Sequence, residues 1–337
     1  MTRRQKIFVY VIPTCLSGLF LILAIRNLNL SDFLHLMGSV DIRLLVAALA
    51  IVALNSILRA FRWQTLLTPD HDVRLSDVYW AMMIGYLGNA YLPARIGEFL
   101  RAYALGRKTS LSSVKIFSTA IVERVLDALF LVGTGWLALQ FLRIPGSLFL
   151  AASQNVLIVM AILICGLLAL TWYGSRTATL LTKIPLDARV RKFVVQHWDN
   201  FNQGLTTLNR PRTAALFFFC TVLIWSIDVL ASILISLSLG LEFNIATAFF
   251  LISMLGLSSA IPSTPGGVGV LQFVTVSVLS PLGFNTNQSL AFILIYQMIS
   301  YLHITTFGLL GVWQTGIRLS PGLLAEPKPA TWSDSDH

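Results

Sequence analysis

Charge is scarce in this chain. Only 12% of its 337 residues are Asp, Glu, Lys or Arg, about half the share of an ordinary soluble domain (roughly 25%). Hydrophobic residues make up 56% and the mean hydropathy is +0.76, which excludes a water-soluble fold. Cysteine is scarcer still. Cys15, Cys165 and Cys220 lie in apolar runs with no pairing pattern, so no disulfide framework is expected and all three read as small buried hydrophobes. The histidines, at 35, 71, 197, 303 and 337, make no metal-ligand pair. No zinc-protease, serine-hydrolase or Cys/His arrangement occurs, so the expectation is no metal, no cofactor, no catalytic constellation and no enzyme.

What is present is long apolar runs. They fall at about 7–25, 44–67, 116–141, 148–173, 213–240 and 289–317, each long enough to cross a bilayer (about 20 residues). Two further apolar stretches, 76–105 and 246–281, are interrupted. The first contains NAYLPARIGE at 89–98, the second AIPSTPGGVG at 260–269. Broken backbone leaves N–H and C=O groups that lipid cannot satisfy, so it survives at membrane depth only against protein or a watered cavity. A matched pair of such breaks marks a transporter's binding site. The expected fold is therefore an all-α polytopic membrane protein with about six full spans and two re-entrant helical hairpins.

The order span, span, re-entrant, span occurs twice, with a turn at Arg143–Gly146 as the join. Three spans per half would invert the second half relative to the first. The expected domains are a first repeat at 1–143, a second at 144–318 and a disordered Pro/Ser/Asp-rich tail at 319–337. The net charge of +9 comes from 24 Lys/Arg against 15 Asp/Glu. The basic residues sit in short loops, the positive-inside pattern rather than a nucleic-acid surface. With both termini cytoplasmic, Arg26, Arg43 and Arg143 fall outside, and Arg95 and Arg124 at membrane depth. The run after Arg3, Arg4 and Lys6 reads as an uncleaved first helix. Segment 174–212 reads either as an amphipathic helix on an anionic leaflet or as a basic loop obeying topology.

Intramembrane charge is costly and marks function by default. Glu123 and Asp127 are four residues apart on one helix face, whereas Arg124 is turned about 100° away. Arg124 must find another partner, a structural carboxylate or a substrate anion. The alternative for the whole cluster is a buried ion network that locks helices together. In the first break, Arg95, Glu98 and Arg101 form one stripe if a helix begins at Pro93, and its N-terminus would suit an anion. In the second, Thr264 is placed to cap a half-helix starting at Pro265, with Gly266, Gly267 and Gly269 allowing close approach. A plain helix-breaking turn is the alternative there. Arg59 and Arg62 share a face and read as snorkelling to lipid phosphates. Asp228 is available to Arg95 or Arg124, and Gln297, Tyr301 and His303 read as donors of helix–helix hydrogen bonds. Asp70 and Asp72 form an Asp-x-Asp pair of the kind that holds Mg²⁺-diphosphate, alone a weak signal.

The run from Asn89 through Pro93, Arg95, Gly97, Glu98 and Arg101, then Glu123, Arg124 and Asp127, then Pro265, Gly266, Gly267 and Gly269, resembles one family. It is the flippase-like, UPF0104-type membrane family related to the transmembrane domain of lysylphosphatidylglycerol synthase. The resemblance implies a fold with re-entrant helices that moves phosphate-bearing lipids between leaflets: phospholipids, polyprenyl-phosphate carriers or hopanoid-related lipids. It also implies an inner-membrane location, lipids with anionic headgroups as partners, and a substrate site at the motif residues. Arg95 and Arg124 would bind phosphate, while Glu123 and Asp127 would hold those arginines, take a proton or bind a headgroup amine. A homo-oligomer stays open. Leu271 and Gln272 stand where the family commonly has Glu, and no aminoacyl-transferase domain follows the motifs. The competing classes are a transferase or phosphatase acting on polyprenyl-phosphate lipids, and a scaffold for lipid-synthesis enzymes.

Overall fold

The computed structural model describes residues 12–67, 73–92, 96–142, 210–259, 261 and 263–316. Every regular element among them is helical. In chain order these are α1 (Ile12–Ile25), α2 (Leu30–Gly38), α3 (Ile42–Leu67), α4 (Leu75–Tyr91), α5 (Gly97–Gly106), α6 (Ser113–Phe141), α7 (Pro211–Ser238), α8 (Ile245–Ser258), α9 (Val270–Leu279) and α10 (Thr286–Thr315). The boundaries follow local chemistry. Ser112 caps α6 by accepting from the Lys115 N–H, and Asn244 caps α8 in the same way. At α10, Asn285 and Gln288 close a capping box, while Gly316, with φ 65°, ends the helix. Each cap satisfies N–H groups that the first turn leaves orphaned.

Four stretches are long and apolar enough to cross a membrane: Ile42–Leu67, Pro211–Ser238, Pro265–Leu282 and Thr286–Thr315. Leu19, Phe218 and Trp313 are among many large apolar side chains facing outward, a surface that only lipid solvates without penalty. The described part of the first apolar run, residues 12–25, is a single helix, and α2 follows it at an 88° bend. Asn29 forces that corner by accepting from the N–H groups of Ser31 and Asp32. One expectation changes. The stretch Pro265–Leu282, expected as the returning arm of a hairpin, reaches spanning length itself. The expected span at 148–173, most of the segment 174–212, the Arg143–Gly146 turn and the tail fall outside the described residues.

The sequence long helix, broken pair, long helix occurs twice: α3, α4/α5, α6, and α7, α8/α9, α10. Two hydrophobic cores accompany it. One gathers Trp63, Met82, Leu105 and Ile116 from α3 to α6; the other gathers Leu251, Leu279, Phe292 and Ile295 from α8 to α10. Helix α3 packs along α7, and α10 along α4, joining the two cores. Cys220 is buried as expected, but Cys15 faces outward, because its turn of α1 meets lipid rather than protein.

Candidate functional site

Helix α6 has two working faces. On one, Glu123 and Asp127 meet Arg62 of α3. Arg62 Nη1 donates to Asp127 Oδ1 (2.6 Å) and Thr221 Oγ1 (2.9 Å), and Nη2 donates to Asp127 Oδ2 (2.9 Å) and Glu123 Oε1 (2.8 Å). Arg101 of α5 completes the group by donating to Glu123 Oε2 at 3.0 Å. All four side chains are buried. Arg101 lies over the Trp63 ring and Arg62 over Phe217, at 4.6 and 5.0 Å from the ring centroids. Two cations face two carboxylates, so the cluster is formally neutral, as low-dielectric surroundings require.

This corrects the snorkelling expectation for Arg62. The partner charges on α6 outweigh the pull of the interface, and the side chain is 0% exposed. Arg59 does not reach lipid either. It pairs with Asp228, stacks on Trp225 at 5.0 Å and shares Asp228 with Asn55. Asp228 is therefore taken by Arg59 rather than by Arg124; Arg95 lies outside the described residues.

The other face of α6 is open. Arg124 leaves 45% of its side chain exposed, and Nη2 lies 3.3 Å from Glu98 Oε1. Glu98 also accepts from Asn89 Nδ2 at 3.2 Å, while its Oε2 is buried without a hydrogen-bond partner among the described residues. The same Asn89 closes the first break, its Oδ1 accepting the Gly97 N–H at 2.9 Å. Helix α5 begins at Gly97. Gly97 has no side chain because a Cβ there would meet the Gly85 carbonyl and Asn89. Arg95 and Pro93 lie outside the described residues.

The second break is closed by Gln272. Its Oε1 accepts the Gly269 N–H at 2.7 Å, and its Nε2 donates to Gln297 at 2.5 Å. Gln297 in turn donates to the Gly266 carbonyl at 3.2 Å. The sequence places Thr264 to cap a half-helix from Pro265, but its side chain makes no capping bond. Its hydroxyl donates to the Val268 carbonyl, and its N–H donates to Ser17 of α1. The cap falls instead at Gly269, whose φ of 89° suits glycine and whose α-carbon presses on the Ser17 backbone. Pro265, Gly266 and Gly267 form one 3₁₀ turn ahead of it.

Both breaks border one cavity whose largely apolar wall carries a few charged and polar groups. One chamber, of about 760 Å³ including its mouth, is lined by Asn89, Glu98, Arg124, Gly266, Gln297 and Tyr301. A second, of about 1010 Å³, is lined by Asn55, Arg59, Trp225, Asp228 and His303. Tyr86, Arg124, Ser259, Leu271, Tyr296, Ser300 and Ile304 line both, so the two chambers are neighbours that share a wall. Of the sequence-predicted residues, Glu98, Arg124 and Gly266 reach the cavity. Arg101, Glu123 and Asp127 belong to the closed cluster. Thr264, Pro265, Gly267 and Gly269 shape the second break. The geometry also enrols Asn89 and Gln272 as the two closing amides, and Arg59 and Asp228 as a second ion pair.

An all-helical, membrane-spanning scaffold around a cavity with charged groups in its wall defines the class of this molecule. The chain belongs to the lysylphosphatidylglycerol synthase TM region family, whose model matches residues 10–308. It is 28% identical over 225 residues to a UPF0104 membrane protein of Methanocaldococcus jannaschii, covering 65% of this chain and 90% of that one. A second UPF0104 membrane protein of the same organism is 24% identical over 323 residues, 90% of this chain and 94% of its own. The glycosyltransferase AglD of Haloferax volcanii is 24% identical over 321 residues, 84% of this chain but only 50% of that protein. No solved structure matches the chain.

Proposed function

We propose that this protein is a lipid translocase, moving a phosphate-bearing lipid between the leaflets of a prokaryotic plasma membrane, with both its termini in the cytoplasm. Membership of the lysylphosphatidylglycerol synthase TM region family supports work on membrane lipids. The Haloferax relative is named for glycosyl transfer, and this chain matches half of that protein.

The observation that carries the reading is Arg124. It is a guanidinium at membrane depth, nearly half exposed into a cavity, held by one bond to a carboxylate. Arg62, Arg101 and Arg59 are each neutralised in tighter surroundings. A guanidinium presents five donors in a fork that suits phosphate oxygens, and Arg124 has donors to spare. The headgroup would rest at Arg124 between the two breaks, with its chains remaining in lipid. The two halves, read as an inverted repeat, would rock around it. Neither half needs a catalytic group for this. A transferase acting through Asp70 and Asp72 would instead turn over its lipid with metal.

The test is a leaflet-resolved assay in proteoliposomes with a fluorescent phosphatidylglycerol. Arg124→Ala should lose at least tenfold in transfer rate while melting like wild type. Equal rates for both proteins would remove Arg124 from the mechanism. Chemical conversion of the lipid, lost in Asp70→Asn, would favour the transferase.

A further inference from the structure

The second chamber contains a titratable group that the translocation reading does not use. His303 of α10 is 4% exposed, lines the chamber, and has no hydrogen-bond partner on Nδ1 or Nε2 among the described residues. It lies against the Phe307 ring, 4.8 Å away. A helix–helix hydrogen bond is expected here from the sequence, and none is made among the described residues. Leaving a buried donor and acceptor unmet is costly, so the ring is poised for a partner that enters the chamber. The Oδ1 of Asn55, which lines the same chamber, is likewise buried and has no partner among the described residues.

The surroundings of the ring set what that partner brings. Arg59 from α3, Asp228 from α7, Tyr86 from α4, Arg124 from α6 and Tyr296 from α10 are the titratable or charged groups of the chamber wall. Helices α8 and α9 contribute only uncharged residues, such as Ser259 and Leu271. Arg59 is balanced by Asp228 and Arg124 by Glu98. The cavity wall is therefore formally neutral, and a phosphodiester entering it adds one uncompensated negative charge. A buried anion of this kind is stable only with a matching cation. Of the wall groups, an imidazole is the one that ordinarily titrates near neutrality, and once protonated it offers two donors and no acceptor.

Resting on the translocase reading, we propose that His303 takes up a proton when a phosphate-bearing headgroup occupies the cavity and releases it when the headgroup leaves. Lipid and proton then travel together. The chemistry balances: one N–H bond forms on the imidazole as the anion arrives and breaks as it departs.

The experiment uses the full-length protein in weakly buffered detergent at pH 7.5. Dioctanoyl phosphatidylglycerol is the probe, its phosphodiester being ionised throughout. Binding is followed by calorimetry and protons by an indicator dye. Wild type should take up to about one proton per lipid bound, with Kd weakening up to tenfold per pH unit above neutrality. His303→Gln should bind with no proton uptake and a flat pH profile. Wild-type binding without proton uptake overturns the proposal, and so does full uptake by His303→Gln. Proton uptake on binding, with no leaflet transfer by wild type, would remove the translocase reading and leave His303 as a proton site. Transfer without uptake would do the reverse. Absence of any lipid binding would remove both.

Discussion

Glu123 and Arg124 are consecutive residues that live in opposite environments. Glu123 is sealed with Arg62, Arg101 and Asp127 in a cluster from which solvent is excluded. Arg124 looks into the cavity with one long contact to Glu98. A helix advances about 100° per residue, so one step along α6 passes from structure to function. The charges that look most alike in sequence therefore answer to different physics. The closed cluster is a fastening between α3, α5 and α6, and the open pair is the receptor we propose.

The largest effect should come from breaking the closed side. Arg62→Ala leaves Glu123 and Asp127 without their shared cation, and loss of one partner from a buried pair costs about 3–5 kcal/mol. Unfolding in detergent should show this as a lower midpoint or as failure to accumulate. The two breaks come next. Gln272→Leu strands the Gly269 N–H and frees Gln297, which should cost about 1–3 kcal/mol. Asn89→Leu should cost a similar amount and also loosen Glu98. Sharpening the open side gives a smaller effect. Glu98→Gln removes the carboxylate competing for Arg124, and a partly exposed pair is worth up to about 1 kcal/mol. Phosphatidylglycerol should bind a few-fold more tightly to that variant by calorimetry. Thr264→Ala should change stability by less than about 0.5 kcal/mol, since Gly269, not Thr264, begins α9. A large loss there would restore the cap expected from sequence.

Local periodicity carried much of this. The shared face of Glu123 and Asp127, the rotation of Arg124 away from them and the positions of both breaks are all visible from spacing alone. Long-range pairing is not. Arg62 and Asp127 are 65 positions apart, and Arg59 and Asp228 are 169 apart. No helical pattern tells one cation from another at that distance. Matching charges by membrane level would have helped, because two carboxylates on an apolar face call for two cations nearby, and Arg62 and Arg101 were available. The start of α5 at Gly97 is not legible from spacing, because the Asn89 side chain fixes it from the preceding helix. Gln272 was read as the loss of a family carboxylate. Its amide does what a carboxylate does less well there, accepting from Gly269 and donating to Gln297.

The division of labour along α6 is tested most directly by the lipid that stays with the purified protein. Mass spectrometry of lipids retained by wild type, Arg124→Ala and Arg101→Ala, beside a melting curve for each, separates receptor from fastening. The account predicts that wild type retains a phosphate-bearing lipid. Arg124→Ala should lose it at an unchanged melting temperature, and Arg101→Ala should melt lower while its folded fraction keeps the lipid. Retention of the same lipid by Arg124→Ala at wild-type levels would contradict it.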